Sequence, residues 1–341
     1  MVSDVVLGAG EAMRRREFIV RLGAAISLWP VTARAQQGHK LPVVGLVSIG
    51  ASVADPANFR PFLEQMRELG YEDGQNIIFD RRFAGGDDSL ISGFVADLVR
   101  RPVDLIVATG AREALAAKSA TATIPIVTFV SADPIGMGLA QSLAHPGGNV
   151  TGLTTMDLDV YGKRVELLSQ TVPNLKRVAV LVSGRQPLYG RGSPWAHDFE
   201  MSAKSLGVAL EFFQADEHTL ETAFTAMTAD GVQGVVVTSD GVYVPLGKVI
   251  AESAIKYRLP TIFPFREHVR AGGFLAYAAR ITDLSRRSAF FVDRVLKGEK
   301  PSNLPIEQPT RFDFVVNLKT AKTLGLTIPP SVLAIADEVI E

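Results

Sequence analysis

Short β-branched runs bounded by Gly, Pro or Asp alternate along this chain with stretches whose apolar residues recur every three to four positions. That alternation predicts strand–helix units on a parallel sheet. Strands are expected at 43–48, 77–81, 105–108 and 126–130, with helices at 58–69, 90–100 and 113–119. Phe59, Phe62, Leu63, Met66 and Leu69 form one face of the first helix, and Gly70 stands where a C′ glycine would end it. The order then recurs, with strands at 178–183, 208–213, 234–238 and 261–264 and helices at 196–206, 219–228 and 246–257. A tail follows: a helix from Asp283 to about Lys297, an extended connector with Pro301, Pro305 and Pro309, a strand at 311–318 and a short helix at 320–324. A last helix is expected over 332–340, after Pro329-Pro330.

Segments of the second half echo those of the first. Val43 at the head of one apolar run answers to Val178, Val103 to Val232 and Pro125 to Pro260, at offsets of 178−43 = 135, 232−103 = 129 and 260−125 = 135. Order and spacing are both kept, so the chain reads as two Rossmann-like parallel-sheet lobes with a cleft between them. Gly147-Gly148 and Gly272-Gly273 each open a short strand at matching places. Glycine absorbs changes in φ and ψ, so the pair reads as a hinge, although each alone fits an ordinary tight turn. The expected partition is 41–153 with about 276–305 for lobe one, and about 154–275 with 306–341 for lobe two.

Composition narrows the class. The 341 residues are 47% hydrophobic and 21% charged, which is globular. The net charge of −1 and the absence of a long basic run exclude a nucleic-acid or membrane-surface partner. Residues 1–35 read as an export signal of twin-arginine type: Arg14-Arg15-Arg16 is followed by an apolar stretch from Leu22 to Val31, and Ala33-Arg34-Ala35 precedes the expected cleavage. An amphipathic first helix is the alternative, and Met13 competes with Met1 as the start. No later stretch approaches the roughly 20 apolar residues of a membrane span. There are no cysteines, so the fold uses no disulfide and has no lipid-anchored thiol. The mature protein is expected free in a periplasm.

With these elements placed, residues 41–341 resemble the solute-binding proteins of bacterial ABC importers, in the group that includes tryptophan and tyrosine binders. The segments FLEQMRELGYEDGQN (62–76), IPIVTFVSADPIGMGLAQSLAHPGGNVTGL (124–153), GGFLAY (272–277) and the long run from Gln308 to Glu341 carry the resemblance. It implies a type I periplasmic binding protein, or Venus-flytrap, that clamps a small-molecule solute between its lobes. It also implies hand-over to an inner-membrane permease driven by an ATPase, with no chemistry and no cofactor. A monomer is expected, and an amino acid or a related aromatic or branched molecule is the expected solute. The chain departs from the family pattern at residues 185–195 (RQPLYGRGSPW), so contacts at that rim do not carry over.

Ligands of open α/β sheets bind at the carboxyl ends of the strands. That rule selects Ser48, Thr109, Gly110, Ser131, Asp133 and Pro134 in lobe one, and Ser183, Ser239, Asp240, Phe263 and Phe265 in lobe two. Thr109-Gly110, ahead of a helix, is the first choice for an α-carboxylate, and Asp133 or Asp240 for an ammonium group. Each has a structural rival. Thr109 and Ser239 fit helix caps, Asp133-Pro134 fits a turn, and Phe263, Phe265 and Tyr243 fit core packing. Catalytic signatures are missing: there is no Cys, no G-x-S-x-G, no P-loop and no G-x-G-x-x-G opening a helix. The five histidines lack metal-ligand spacing, and Glu267-His268 is the one acid–imidazole neighbour near the cleft. A periplasmic enzyme using the cleft, and a sensory ligand-binding module, remain as alternatives.

Overall fold

Two sheets with matching strand order carry the molecule. The computed structural model describes residues 40–50, 59–101, 103–131, 133–184 and 189–341. The export signal, its cleavage site and the choice of start lie outside the described residues. The first sheet is fully parallel in the order β2-β1-β3-β4-β5, from β1 (Val43–Ser48), β2 (Ile78–Phe83), β3 (Leu105–Ala108), β4 (Ile126–Ser131) and β5 (Val150–Thr154). The second contains β6 (Arg177–Val182), β7 (Ala209–Gln214), β8 (Gly234–Val237), β9 (Thr261–Phe263) and β10 (Leu275–Ala279) in the equivalent order β7-β6-β8-β9-β10. It is extended by β11 (Phe312–Asn317), antiparallel to β10, and β12 (Glu338–Ile340), parallel to β11. The echo in the sequence is thus an echo in topology.

The strands read as near-continuous apolar runs because helices cover both faces of each sheet. Leu46, Leu105, Val107 and Val127 pack on one side of the first sheet with Phe62 and Met66 of the helix Arg60–Glu68. Val47, Ile106 and Ala108 pack on the other with Val95 and Leu98 of the helix Ile91–Arg100. Gly70, at φ +91, ends the helix Arg60–Glu68 as expected: Gly70 N–H donates to Arg67 O and Tyr71 N–H to Met66 O.

The lobes exchange helices. After β5 the chain crosses over, and the helix Asp157–Thr171 packs Tyr161, Val165 and Leu168 into the core of the second sheet. After β10 the chain returns, and Phe291 and Val292 of the helix Ile281–Leu296 pack beside Phe62 and Met66 on the first. A third crossing follows residues 304–307, which run beside β5: Glu307 N–H donates to Gly152 O at 2.9 Å, and Thr154 N–H to Glu307 O at 2.9 Å. The turns at Gly147 and Gly272 sit at the amino ends of β5 and β10, each within its own lobe, so they are not the crossings. The crossings lie at the carboxyl ends, at Met156 (left-handed, φ 48) and Arg280, a few residues beyond the expected 153 and 276.

The expected last helix is a second correction. Only Pro330–Leu333 is helical, and Glu338–Ile340 becomes an edge strand. Asp337 causes the change: its backbone N–H donates to Phe314 O at 2.8 Å while its carboxylate accepts Phe314 N–H at 2.8 Å, which pins the chain to β11. No helix among the described residues is long and apolar enough to cross a membrane.

Candidate functional site

The carboxyl ends of the strands in both sheets face one cavity of about 270 Å³. Lobe one contributes Ser48 and Ile49 at the end of β1, Thr109 to Glu113 after β3, and Thr155 after β5. Lobe two contributes Ser239 to Gly241 after β8, Pro264 to His268 after β9, and Ala276 and Ala278 of β10. The volume sits just below the roughly 300–1,000 Å³ typical of small-molecule pockets, so a compact solute fits best.

One wall is organised around a buried carboxylate. Glu113 is the third residue of the helix Ala111–Ala120, 1% exposed, and its side chain folds back over the helix's own amino end. Ile49 donates its backbone N–H to Glu113 Oε1 at 2.7 Å. Thr109 Oγ1 lies 3.1 Å from the same oxygen and 2.9 Å from Ser48 Oγ. Burial raises the carboxyl pKa above its ordinary 4.5, opposed by hydrogen bonds from Ile49 N–H, the residue's own N–H and Thr109, and by the Arg112 charge. Gly110 makes room for this, since a Cβ there would fall 2.6 Å from Glu113 Oε2. The helix terminus that the sequence offered to a ligand carboxylate is therefore already faced by a carboxylate of the chain.

The lobes touch across the cleft. Arg112 pairs with Asp88 in its own lobe, and its Nη2 lies 3.6 Å from Oδ2 of Asp240 in the other. Asp240 is held in place by the Ser183 hydroxyl, which donates to Oδ2, and by Val242 N–H at 3.2 Å from Oδ1. Val242 is buried among lobe-one residues, including Val47 and Ile49. A Cβ on Gly241 would fall 2.7 Å from Ile49 Cγ2. These are the contacts of a closed pair of lobes.

Ser48, Thr109, Gly110, Ser239, Asp240 and Phe265 therefore line one cavity, as the strand-end rule selected them. Ser239 receives a second support, donating its backbone N–H to the Tyr161 hydroxyl at 2.8 Å. The remaining candidates are not in the wall. Ser183 stands behind Asp240 as its hydrogen-bond donor. Phe263 is fully buried beneath His268, and Tyr243 is core, its hydroxyl donating to Ala215 O at 2.8 Å. Asp133 turns back on its own loop, accepting N–H bonds from Ile135 at 3.2 Å and Gly136 at 2.9 Å, while the Pro134 carbonyl accepts from Leu139 and Ala140. That is the turn reading of Asp133-Pro134. The Ser131 backbone ends β4, and its side chain is outside the described residues.

Several wall residues were not selected from the sequence: Arg112, Glu113, Tyr189, Arg280 and Asp313. Arg112 and Glu113 occupy the second and third positions of a helix opening on the cleft, a signal that could have found them. Tyr189 comes from the 185–195 segment, of which 185–188 lie outside the described residues. Arg280, at the second crossing, meets Asp313 of β11 through Nε at 2.8 Å, and Arg266 reaches the same carboxylate at 2.9 Å. No local pattern announces that triad. Beside it His268 is 3% exposed, and burial pushes its pKa down to about 4, against a hydrogen bond to the Val244 backbone. Its Nδ1 has no partner among the described residues, so no carboxylate orients it as a catalytic pair would require.

The profile of the family described as ABC transporter substrate binding protein matches residues 48–340. The chain belongs to that family. Among relatives of this substrate-binding protein is the tyrosine-binding protein of Clostridioides difficile (strain R20291), 25% identical over 271 residues, covering 78% of this chain and 75% of that one. The ABC domain from Streptococcus pneumonia, solved in complex with L-Trp, is 27% identical with a TM-score of 0.80, covering 88% of this chain and all (100%) of that one. A conserved domain protein from Vibrio cholerae is 27% identical with a TM-score of 0.79, over 88% and 100% of the two chains. The fold is accordingly that of a type I periplasmic binding protein, two α/β lobes about a hinge, and its family is one of substrate-binding proteins rather than enzymes.

Proposed function

We propose that this substrate-binding protein closes its two lobes around a single amino acid and presents it to the permease of an ABC importer. The observation that carries the reading is the closed cavity itself. Lobe one supplies Ser48, Thr109 and Glu113, lobe two supplies Ser239 and Asp240, and the apolar surface of Ile49, Phe265, Ala276 and Ala278 lies between them. Ligand that touches both lobes only when they meet shifts the open–closed equilibrium by its differential affinity. Glu113 and Asp240 favour an ammonium group on their side of the cavity, while Thr109-Gly110 no longer offers a free anion site. Tryptophan and tyrosine, the solutes named for two relatives, make aromatic amino acids the first class to test. Export through the twin-arginine-type signal, with cleavage after about Ala35, would put the mature monomer in the periplasm. There it would meet the permease and its ATPase.

The test is a thermal-shift and calorimetric panel of amino acids on the mature chain from Gln36. A saturating cognate solute at 100 times its Kd stabilises by about 2.7 kcal/mol. For a chain of this length that is a rise in Tm of a few degrees or more. A flat panel across all amino acids would reject the reading.

A further inference from the structure

We propose that Arg112 latches the lobes: its guanidinium is shared between Asp88 of its own lobe and Asp240 of the other, and this sharing gives the protein a closed population of its own before any solute binds. The latch goes beyond the amino-acid reading and does not depend on which solute the cavity takes.

Asp240 is the reason a cation is needed there. Its side chain is 1% exposed with the lobes together, and the Ser183 hydroxyl and Val242 N–H hold its two oxygens without cancelling the charge. A carboxylate taken out of water is costly unless it is paired. Arg112, its side chain 18% exposed, is the one ion-pair partner of Asp240 among the described residues. Arg112 Nη1 pairs with Asp88 Oδ2, while Nη2 is buried with no hydrogen-bond partner among the described residues. Oδ2 of Asp240 stands 3.6 Å from that nitrogen, about 0.7 Å beyond the usual N–H···O length. A small further approach of the lobes satisfies both groups at once.

The pair sits where it has leverage. β1, which leads into the contact, lies three strand spacings, about 14 Å, from β5, where the chain first crosses between the lobes. Beside the pair, Val242 of lobe two is 7% exposed in an apolar cluster with Ile49, Ala84 and Ile91 of lobe one. A Cβ on Gly86 would fall 3.5 Å from Pro245 Cγ on the other side of the cleft. When the lobes part, Asp240 regains water and Arg112 keeps Asp88, so neither charge is stranded and the latch can reopen. Closure is thus biased by the chain's own groups, and a solute adds its differential affinity to an equilibrium already running.

Single-molecule energy transfer on the mature chain, emptied of solute by unfolding and refolding, tests this. Dyes go at Ser92→Cys and Glu252→Cys, exposed positions on opposite lobes of a chain with no cysteine of its own. The expected wild-type result is an open majority exchanging with a closed minority. Arg112→Leu is expected to lower the closed-to-open ratio by about tenfold or more. Arg112→Lys, which keeps the charge without the two-pronged geometry, retains part of the ratio. Adding Asp240→Asn to Arg112→Leu recovers part of it, because no bare carboxylate is then buried. Arg112→Gln makes the same test if the leucine variant does not fold. A wild type with no closed minority would overturn the proposal, and so would an unchanged ratio in folded Arg112→Leu or Arg112→Gln. A double variant no more closed than Arg112→Leu alone would overturn it too. No solute is added, so failure here leaves the amino-acid reading standing, and a flat amino-acid panel leaves the latch standing.

Discussion

Replacing Gly241 by alanine is expected to weaken solute binding while leaving the empty protein's stability nearly unchanged. Gly241 lies in lobe two and Ile49 in lobe one, and they meet only because the lobes are closed. The added Cβ would stand 2.7 Å from Ile49 Cγ2, against the roughly 3.5–4.0 Å of an ordinary carbon–carbon contact. Ile49 is buried and β-branched, so its side chain has little freedom to retreat. Overpacking of this kind costs about 1–3 kcal/mol. With tenfold in Kd for each 1.4 kcal/mol, affinity falls by about fivefold to somewhat over a hundredfold. Gly241 does not occupy the left-handed region, so alanine adds no backbone strain in the open form. The assay is calorimetry with the cognate solute, alongside melting of the ligand-free protein. A Kd within twofold of wild type would refute the closed-contact reasoning. So would a ligand-free Tm that falls as far as the liganded one, because the clash would then not be specific to closure.

Three further outcomes follow from single side chains. Glu113 has its pKa raised by burial, so its contribution to stability is full below the ordinary 4.5 and is lost as pH rises through the raised value; Glu113→Gln is expected to flatten that decline and raise Tm at neutral pH, and parallel Tm–pH curves for the two proteins would contradict this. His268 shifts the other way, from 6.5 to about 4, so stability is lost as pH falls between those values, by about 3 kcal/mol in all. Melts of His268→Phe should lack that acid loss, and an unchanged acid limb would count against it. Gly152→Ala would place a Cβ 1.9 Å from the Thr128 carbonyl at a backbone φ of +127, where strain alone costs about 1–3 kcal/mol; a Tm within one or two degrees of wild type would contradict that geometry.

The sequence revealed the parts of the fold that rest on local pattern. The apolar periodicity located both five-strand sets, and the echo between Val43 and Val178 foretold that both sheets would share a strand order. What it missed depends on partners distant in the chain. The helix Asp157–Thr171 went unmarked because its apolar face is completed by the lobe it crosses to. Residues 338–340 have helical spacing, yet pairing of Asp337 with Phe314 makes them a strand. In the cavity, the strand-end rule found Ser48, Thr109, Ser239 and Asp240. It offered Thr109-Gly110 to an anion, and did not mark Glu113, three positions beyond Gly110, whose carboxylate folds back over the same helix end. Ser183 lies close to the site but supports Asp240 from behind, a distinction that only side-chain direction makes.

The most direct test of the account is to purify the mature chain without added solute, denature it, and identify what is released by mass spectrometry. The closed cavity predicts one amino acid, near one equivalent per chain, and the same compound restores the Tm of the emptied protein. Release of an unrelated molecule, or an emptied protein that no amino acid stabilises, would contradict it.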